Sequence, residues 1–544
     1  MNPADQRPDP ERSTRTTRRP QGPPLGREPL LTPSADVLVR YNARVLDPAS
    51  AVRRRPDEIV RPTVYVGNRL LTRGVAAGSV RYDLLEQAAR QYGLSVDSAP
   101  DQRAAAVRAD GIGEAYPQRL VLTPLSSPAA PANAWPVLQA YRNMVAQEQV
   151  PQDVALEHLL TATAGPGIGG LPASEGHGVD GLPASEGHGV GPASQYGLPG
   201  WGGRAPVNWI GPEPARRTNL AGRRPVVAVL DTGVGAHPWL DDGAVVVRNP
   251  TVDGTPGAVP LGLTDPTSDP EQTGVLVDPY EGVLDSDAGH GTFIAGIIRQ
   301  LCPDANILAV RVMSGDGVVA EGDLLSALAG LLARQRLAVS AGRPELAIDV
   351  VSLSLGYYHE QPEDAAFDPM LLAPLQELGA LGVTVVASAG NDATARPMFP
   401  AAFTPYLAGI VAKADPDSVP LVSVGALNPN RRTVALFSNG GQWVRCYRPG
   451  AAIVSTFPTT FNASIQPGAA VTIPGQGPRA TIDQDDFSGG FGTWSGTSFA
   501  APHLAGEIAA ALVSGRYGTV DPIDAPTAVA RAQAALGHLI GLDE

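Results

Sequence analysis

The most informative stretch of this 544-residue chain is GTSFAAP, residues Gly496–Pro502. It places Ser498 between small residues, directly before the alanine-rich apolar run Ala500–Val513, which predicts a buried helix. A side chain at the start of a helix lies near backbone N–H groups that have no partner within the helix, so negative charge is stabilised there. A serine hydroxyl is a weak nucleophile until a base removes its proton. A catalytic Ser498 therefore requires a histidine and an aspartate elsewhere in the chain.

Two further stretches supply those partners. Asp231 ends the apolar run of PVVAVLDTG (Pro225–Gly233), which is typical of a buried strand. His290 lies in GHGT (Gly289–Thr292), directly before an apolar segment that predicts a helix. The three candidates follow one another in the order Asp, His, Ser. That is the order of the triad in subtilisin, and it differs from the order in chymotrypsin and in α/β-hydrolases.

These three stretches resemble the signatures of the subtilisin-like serine proteases, the subtilases. VASAGN (Val386–Asn391) and SLSLG (Ser352–Gly356) are two further matches to that family, and all five occur in the family's order. The resemblance covers residues 204–520. It implies a serine endopeptidase that hydrolyses peptide bonds through an acyl-enzyme intermediate, with a protein or peptide as its substrate.

The resemblance also assigns a role to each candidate residue. Ser498 would be the nucleophile, and His290 would take its proton and later give it to the leaving amine. Asp231 would hold the imidazole in the right tautomer and stabilise the imidazolium. Asn391 would donate its side-chain amide to the oxyanion hole. This mechanism needs no metal ion and no organic cofactor.

Substrate contacts are predicted from the same resemblance. Ser354, Leu355 and Gly356 are expected to pair with the substrate backbone as an added strand. Met398 precedes an aromatic–proline pair and would lie at the base of the S1 pocket, which makes the pocket shallow and apolar. Asp392 would lie at its rim and favour a basic residue. Because these two features conflict, the sequence leaves the preference for the residue before the scissile bond open.

Composition excludes several classes of partner. The formal net charge is −14, and no basic patch is separable from the acidic background, so we expect no nucleic-acid partner. No run of 18 apolar residues occurs, so no membrane span is expected. The first 33 residues lack the apolar core of a signal peptide, which predicts a cytoplasmic protein. Cys302 and Cys446 fit two reduced thiols or a single disulfide.

The chain divides into four predicted parts. Residues 1–34 are typical of a disordered tail, and residues 35–163 of a small mixed α/β domain. Residues 164–203 form a glycine-rich linker in which LPASEGHGV occurs twice, and residues 204–544 form the subtilisin-like peptidase domain. In the N-terminal domain the pattern predicts strands at Val37–Val39, Thr63–Val66 and Leu120–Leu122, and helices at Asp83–Tyr92, Trp135–Gln147 and Gln152–Leu160.

In the peptidase domain, apolar strands alternate with helices, which predicts an α/β fold with a mostly parallel sheet covered on both faces. The strands are predicted at Val226–Leu230, Ile307–Val312, Val350–Leu355, Val383–Ala387 and Val422–Val424. The helices are predicted at Phe293–Gln300, Leu324–Gln335, Pro369–Gly379 and Ala525–Ile540. Thr456–Phe491 is predicted as a surface insertion, either a solvated loop or a lip over the substrate cleft.

Two questions stay open at the level of sequence. The N-terminal domain fits either a propeptide that binds the peptidase domain or a domain that binds a regulator or another partner. If it is a propeptide, we expect self-cleavage between Ala164 and Arg204, because flexible exposed segments are where proteases cut. The alternative to an enzyme is a catalytically silent subtilase fold that serves as a binding module.

Overall fold

The computed structural model describes residues 28–29, 31–73, 78–98, 118–126, 131–148, 153–163, 196–199, 202–361, 370–404 and 415–541. Most of the predicted tail, residues 1–34, and most of the predicted linker, residues 164–203, lie outside these ranges. We refer to residues 31–163 as the N-terminal region and to residues 202–541 as the C-terminal region.

The N-terminal region contains helices packed on an antiparallel sheet. Its helices are α1 (Ala35–Arg40), α2 (Val80–Arg90) and α3 (Ala134–Glu148). Its strands are β1 (Ala43–Val45), β2 (Val64–Thr72), β3 (Leu94–Ser98), β4 (Gln118–Pro124) and β5 (Val154–Ala162). A hydrophobic cluster that includes Leu70, Leu85, Trp135 and Tyr141 fills the space between the sheet and helices α2 and α3.

Two predictions for this region were wrong. Val37–Val39, predicted as a strand, lies in α1, because the side chain of Ser34 caps that helix by accepting the N–H of Val37. Gln152–Leu160 was predicted as a helix, but its residues from Val154 onward lie in β5. The segment contains good helix formers, but it has strand partners on both sides, and tertiary pairing overrides intrinsic propensity. The predicted elements near Thr63, Asp83, Leu120 and Trp135 are present with shifted ends.

The C-terminal region alternates helices with strands, as predicted. Its helices are α4 (Pro270–Thr273), α5 (His290–Leu301), α6 (Glu321–Ala341), α7 (Leu372–Ala380), α8 (Thr497–Val513) and α9 (Ala525–Ile540). Its first five strands are β6 (Ala205–Pro206), β7 (Val226–Asp231), β8 (Val246–Arg248), β9 (Asn306–Arg311) and β10 (Val318–Ala320). The remaining strands are β11 (Val350–Leu353), β12 (Leu355–Gly356), β13 (Thr384–Ser388), β14 (Val422–Leu427), β15 (Cys446–Pro449), β16 (Ile453–Thr456), β17 (Ala470–Ile473), β18 (Gly477–Ala480) and β19 (Phe491–Trp494).

The central sheet has the strand order β15-β14-β13-β11-β7-β9-β8, and every pairing within it is parallel. Side chains along a strand alternate between faces, so Ala228 and Leu230 join one hydrophobic cluster while Val227 and Val229 join another. The predicted α/β class with a mostly parallel sheet is confirmed. Candidate residues therefore collect at the carboxyl edge of the sheet, where open α/β sheets form their sites.

A second sheet joins the two regions. Its order is β10-β5-β2-β4-β3, with β1 also paired to β2 and β12 also paired to β5. Strand β5 of the N-terminal region thus lies between two strands of the C-terminal region and is antiparallel to both. The C-terminal end of the N-terminal region is consequently built into the candidate site.

The predicted insertion Thr456–Phe491 includes strands β17 and β18, which form a hairpin. Strands β16 and β19 pair with each other at its two ends. Three aromatic side chains anchor the segment, since Phe457, Phe461 and Phe487 are all buried.

Two further sequence predictions can be compared with the structure. Cys302 and Cys446 are both free thiols, which agrees with the reduced alternative. Within the described ranges, no helix combines the length and apolarity that crossing a membrane requires.

Candidate active site

Asp231 and His290 meet at the carboxyl edge of the central sheet. Asp231 is the last residue of β7 and His290 is the first residue of α5. The Nδ1 atom of His290 lies 2.7 Å from Oδ1 of Asp231, and both side chains are buried. Burial disfavours the charged ring, but the charge and the hydrogen bond of Asp231 outweigh it, so the pKa of His290 is raised. The aspartate therefore favours the imidazolium that forms when the ring accepts a proton.

The buried carboxylate of Glu271 accepts hydrogen bonds from residues that are next to Asp231 and His290 in the chain. Glu271 accepts hydrogen bonds from the hydroxyl of Thr232 at 2.5 Å, from the hydroxyl of Thr292 and from the backbone N–H of Gly289 at 3.1 Å. Thr232 follows Asp231 directly, whereas Gly289 and Thr292 flank His290. Glu271 therefore ties the turn after β7 to the first turn of α5. Burial raises the pKa of Glu271 to about 7.

Ser498 lies in the first turn of α8 and is fully buried. Its Oγ atom lies 2.7 Å from the Oγ1 atom of Thr163 and donates to the carbonyl oxygen of Ser354 at 3.2 Å. None of the described residues forms a hydrogen bond with Nε2 of His290. The structure therefore brings Asp231 and His290 together, but it holds the Ser498 hydroxyl in a resting orientation.

An oxyanion-type pair of donors is present beside Ser498. The side-chain amide of Asn391 donates to the carbonyl oxygen of Thr163, and the backbone N–H of Ser498 lies 3.2 Å from the same oxygen. Oδ1 of Asn391 accepts both the backbone N–H and the hydroxyl of Thr497, each at 2.9 Å. These two bonds fix the side-chain orientation, so the NH₂ group is directed at the carbonyl oxygen.

The predicted substrate-binding strand holds the end of the N-terminal region. Leu355 is paired with Ala162, and Gly356 is paired with Thr161, in antiparallel register. The backbone N–H of Thr163 donates to the carbonyl oxygen of Ser354 at 3.1 Å. The carbonyl group of Thr163 thus lies between the two donors, Asn391 and the backbone N–H of Ser498.

Met398 and Asp392 lie near this strand. Met398 is buried next to Gly356, which agrees with an apolar wall. The carboxylate of Asp392 accepts a hydrogen bond from the hydroxyl of Tyr358 at 2.6 Å. Thr163 places its hydroxyl 2.6 Å from Oγ of Ser388, so the residue that occupies the cleft here is small and polar.

The sequence model of the subtilase family matches residues 222–533, more than half of the chain. The chain belongs to the subtilase family. The match contains all three triad candidates and Asn391.

Curated relatives of this subtilase include three bacterial proteases. Serine protease AprX of Bacillus subtilis (strain 168) is 28% identical over 323 residues, which cover 54% of this chain and 58% of the relative. The intracellular serine protease of Paenibacillus polymyxa is 27% identical over 311 residues, or 54% of this chain and 69% of the relative. Subtilisin BL of Lederbergia lenta is 27% identical over 308 residues, which cover 55% of this chain and 79% of the relative. The chain thus spans little more than half of the length of AprX.

Among solved structures, fervidolysin from Fervidobacterium pennivorans aligns with 87% of this subtilase and 60% of its own chain. The sequence identity is 18% and the TM-score is 0.42.

The sequence analysis missed residues of this subtilase that lie at or near the site but far from its motifs in the chain. Glu271 has no motif around it, and Thr163 was treated only as the end of a domain. His158, Glu321 and Glu360 form a buried cluster that sequence spacing does not reveal, because they come from three separate segments.

One group of side chains in the described part of this subtilase has the spacing of a metal site. His158, His359 and Glu360 each place one ligand atom within 4.8 Å of the others. Both nitrogens of His158 are already engaged by carboxylates, and Nδ1 of His359 accepts the backbone N–H of Gln361 at 2.9 Å. These contacts make the group a hydrogen-bonded ion-pair cluster.

Proposed function

We propose that this subtilase is a serine endopeptidase that cleaves protein or peptide substrates through an Asp231–His290–Ser498 triad. The observation that carries the proposal is the carbonyl group of Thr163, which accepts hydrogen bonds from the Ser498 backbone and from Asn391. Two converging donors at one carbonyl oxygen are what stabilises the oxyanion of an acyl-transfer reaction.

The chemistry begins with rotation of the Ser498 hydroxyl toward Nε2 of His290. His290 removes the proton while Oγ attacks the carbonyl carbon, and Asp231 stabilises the resulting imidazolium. The negative charge on the carbonyl oxygen is stabilised by the amide of Asn391 and the Ser498 N–H. His290 then protonates the leaving amine, which breaks the peptide bond and leaves an ester on Ser498. Water, activated by His290, hydrolyses that ester.

We further propose that the N-terminal region is the first substrate and then an inhibitor. Its strand β5 is paired on both edges with strands of the C-terminal region and ends with Thr163 between the oxyanion donors. The bond that would be cut joins Thr163 to Ala164, which is one bond before the segment that sequence analysis predicted. After cleavage the same strand would still fill the cleft as a product.

The test compares wild type with Ser498→Ala, expressed in the same host. We expect wild type to yield two fragments, the second beginning Ala-Gly-Pro, while Ser498→Ala remains a single chain. N-terminal sequencing identifies the bond. Cleavage of both proteins would point to a host protease, and an uncut wild type would contradict self-processing.

The alternative is a catalytically silent binding module, which the resting orientation of the Ser498 hydroxyl favours. A fluorophosphonate probe separates the two, because it labels a serine only when a base activates it. We expect labelling of processed wild type once the N-terminal fragment has been removed, and none of Ser498→Ala or His290→Ala. A wild type that neither cleaves itself nor takes the label would favour the binding module.

A further inference from the structure

A histidine of the N-terminal region lies in a pocket made by the C-terminal region. His158 is in β5, five residues before Thr163, and only 1% of its side chain is exposed. Its ring stacks on the ring of Tyr357, with centroids 4.4 Å apart and planes at 26°. A titratable ring this deeply buried needs polar partners, because burying an unpaired polar group is costly.

Two carboxylates supply those partners from opposite sides. Nδ1 of His158 lies 2.7 Å from Oε2 of Glu321, and Nε2 lies 2.9 Å from Oε2 of Glu360. A neutral imidazole donates from one nitrogen only, whereas the imidazolium donates from both. Burial disfavours the charged ring, but the two glutamates together raise the pKa of His158 to about 9. The pocket therefore holds a cation at neutral pH.

The two carboxylates that bind His158 and the neighbouring rings of Tyr357 and His359 belong to the C-terminal region. Glu321 follows β10 directly, and Glu360 follows β12 by four residues. Strands β10 and β12 are the strands of the C-terminal region that pair with β5, which also pairs with β2 of the N-terminal region. A peptide that binds to β10 and β12 as an added strand in the same register carries its sixth residue to this pocket. The pocket is thus part of the substrate cleft.

Glu321 and Glu360 are buried in the intact chain, and removal of β5 takes away the cation that they bind. Glu360 is fully buried, and the nearest guanidinium, that of Arg142 at 3.7 Å from Oε1, also comes from the N-terminal region. Oε1 of Glu360 has no hydrogen-bond partner among the described residues, so it is available to an additional N–H group. When a peptide strand covers the pocket in place of β5, an unpaired carboxylate there would again be buried, which is strongly unfavourable, so the pocket selects positive ligands.

We propose that Glu321 and Glu360 form a specificity subsite that binds a cationic side chain, Arg, Lys or His, at the sixth residue before the scissile bond. The inference rests on the proposed peptidase function. Arginine matches the pocket best, since its planar guanidinium can donate to Glu321 and to both oxygens of Glu360 and can stack on Tyr357.

The test uses self-processed wild type from which the N-terminal fragment has been removed, and two fluorogenic peptides based on residues 157–163. One has the sequence ERLLTAT and the other EQLLTAT, each with the same leaving group after the final threonine. We expect kcat/KM to be at least tenfold higher for the arginine peptide at pH 7.5. Equal values would overturn the subsite while leaving the peptidase intact. Cleavage of neither peptide would overturn the proposed function and the subsite with it.

Variants assign the preference to the two carboxylates. In Glu321→Gln and Glu360→Gln we expect the ratio between the two peptides to fall toward one. Glu345→Gln changes an exposed glutamate outside the cleft. In this variant we expect the same ratio of kcat/KM between the two peptides as in wild type. An unchanged ratio in both pocket variants would overturn the assignment. The peptide comparison needs only wild type, so it stands even where a pocket variant does not fold.

The full chain provides an independent readout. We expect His158→Arg to process itself faster than His158→Gln, because the same subsite then acts within the molecule. Equal rates in these two variants would contradict the subsite.

Discussion

The side chains of Ser498 and Thr163 contact each other in the cleft, with Oγ and Oγ1 2.7 Å apart. The same two residues also meet through the backbone, since the N–H of Ser498 lies 3.2 Å from the carbonyl oxygen of Thr163. The backbone contact aligns the carbonyl group for attack. The side-chain contact has the opposite effect, because it holds the nucleophilic oxygen in an orientation in which His290 has no hydrogen bond to it.

Thr163→Val should therefore accelerate self-cleavage. Valine has nearly the same shape as threonine but leaves the Ser498 hydroxyl without that partner. A net hydrogen bond contributes about 1 kcal/mol, so the expected increase in the first-order rate is about fivefold. The rate is measured from the loss of full-length chain on gels after dilution from denaturant. Thr161→Val, the same change at an exposed position two residues earlier, is the control, and an unchanged or lower rate in Thr163→Val would contradict this role of the hydroxyl.

Asn391→Ala should lower kcat by roughly 10²–10³ with little change in KM, and the size is borrowed from subtilisin, a member of this same family. The physical reason is that the amide stabilises charge that develops only in the transition state. Steady-state kinetics on one fluorogenic peptide gives both constants. Asn430→Ala, in an exposed turn, is the control. A loss confined to KM would indicate substrate binding by Asn391 instead.

The ion pairs of His158 should make the unprocessed chain less stable at alkaline pH. The pKa of the ring is about 9 in the folded chain, above its ordinary value of 6.5. A raised pKa contributes stability that is fully present below pH 6.5 and is lost as the pH rises through about 9. The groups that face the ring are Glu321, Glu360, His359 and Tyr357, and Arg142 pairs with Glu360. Burial lowers the pKa of His359 to about 3, so the ring of His359 stays neutral above pH 7 and does not contribute to this window.

Thermal melting of Ser498→Ala measures this effect without interference from self-cleavage. Between pH 7 and pH 9.5 we expect it to lose on the order of 2 kcal/mol that the double variant Ser498→Ala/His158→Gln does not lose. Parallel pH profiles for the two proteins would show that the charge of His158 does not stabilise the chain.

Glu271→Gln should shift the pH profile of catalysis. Above pH 7 the Glu271 carboxylate is ionised and is one of the charges that raise the pKa of His290, so its removal lowers that pKa. The acid limb of kcat/KM should consequently move to lower pH. Glu281→Gln, which changes an exposed residue in the segment between α4 and α5, is the control. A loss of activity with an unmoved acid limb would mean that Glu271 acts only through the hydrogen bonds that orient Thr232 and Thr292.

The helices and strands of the C-terminal region were predicted well because their signal is local. A buried parallel strand is a short apolar run, and a helix against the sheet repeats its apolar residues with helical spacing. Most strands of the central sheet and its main helices therefore appear near their predicted positions. The N-terminal region was harder, since Val37–Val39 and Gln152–Leu160 carry propensities that their surroundings override.

The sequence by itself determined the chemical groups of the candidate site. Asp231, His290, Asn391 and Ser498 each lie in a short motif whose turn or helix start positions the side chain, so neighbours in the chain are enough to single them out. The tertiary structure alone decided what these groups contact. Thr163 reaches Ser498, and His158 reaches Glu321 and Glu360, across separations of more than 100 residues. Such contacts depend on strand pairing between two regions, and that pairing leaves no periodic pattern in either segment.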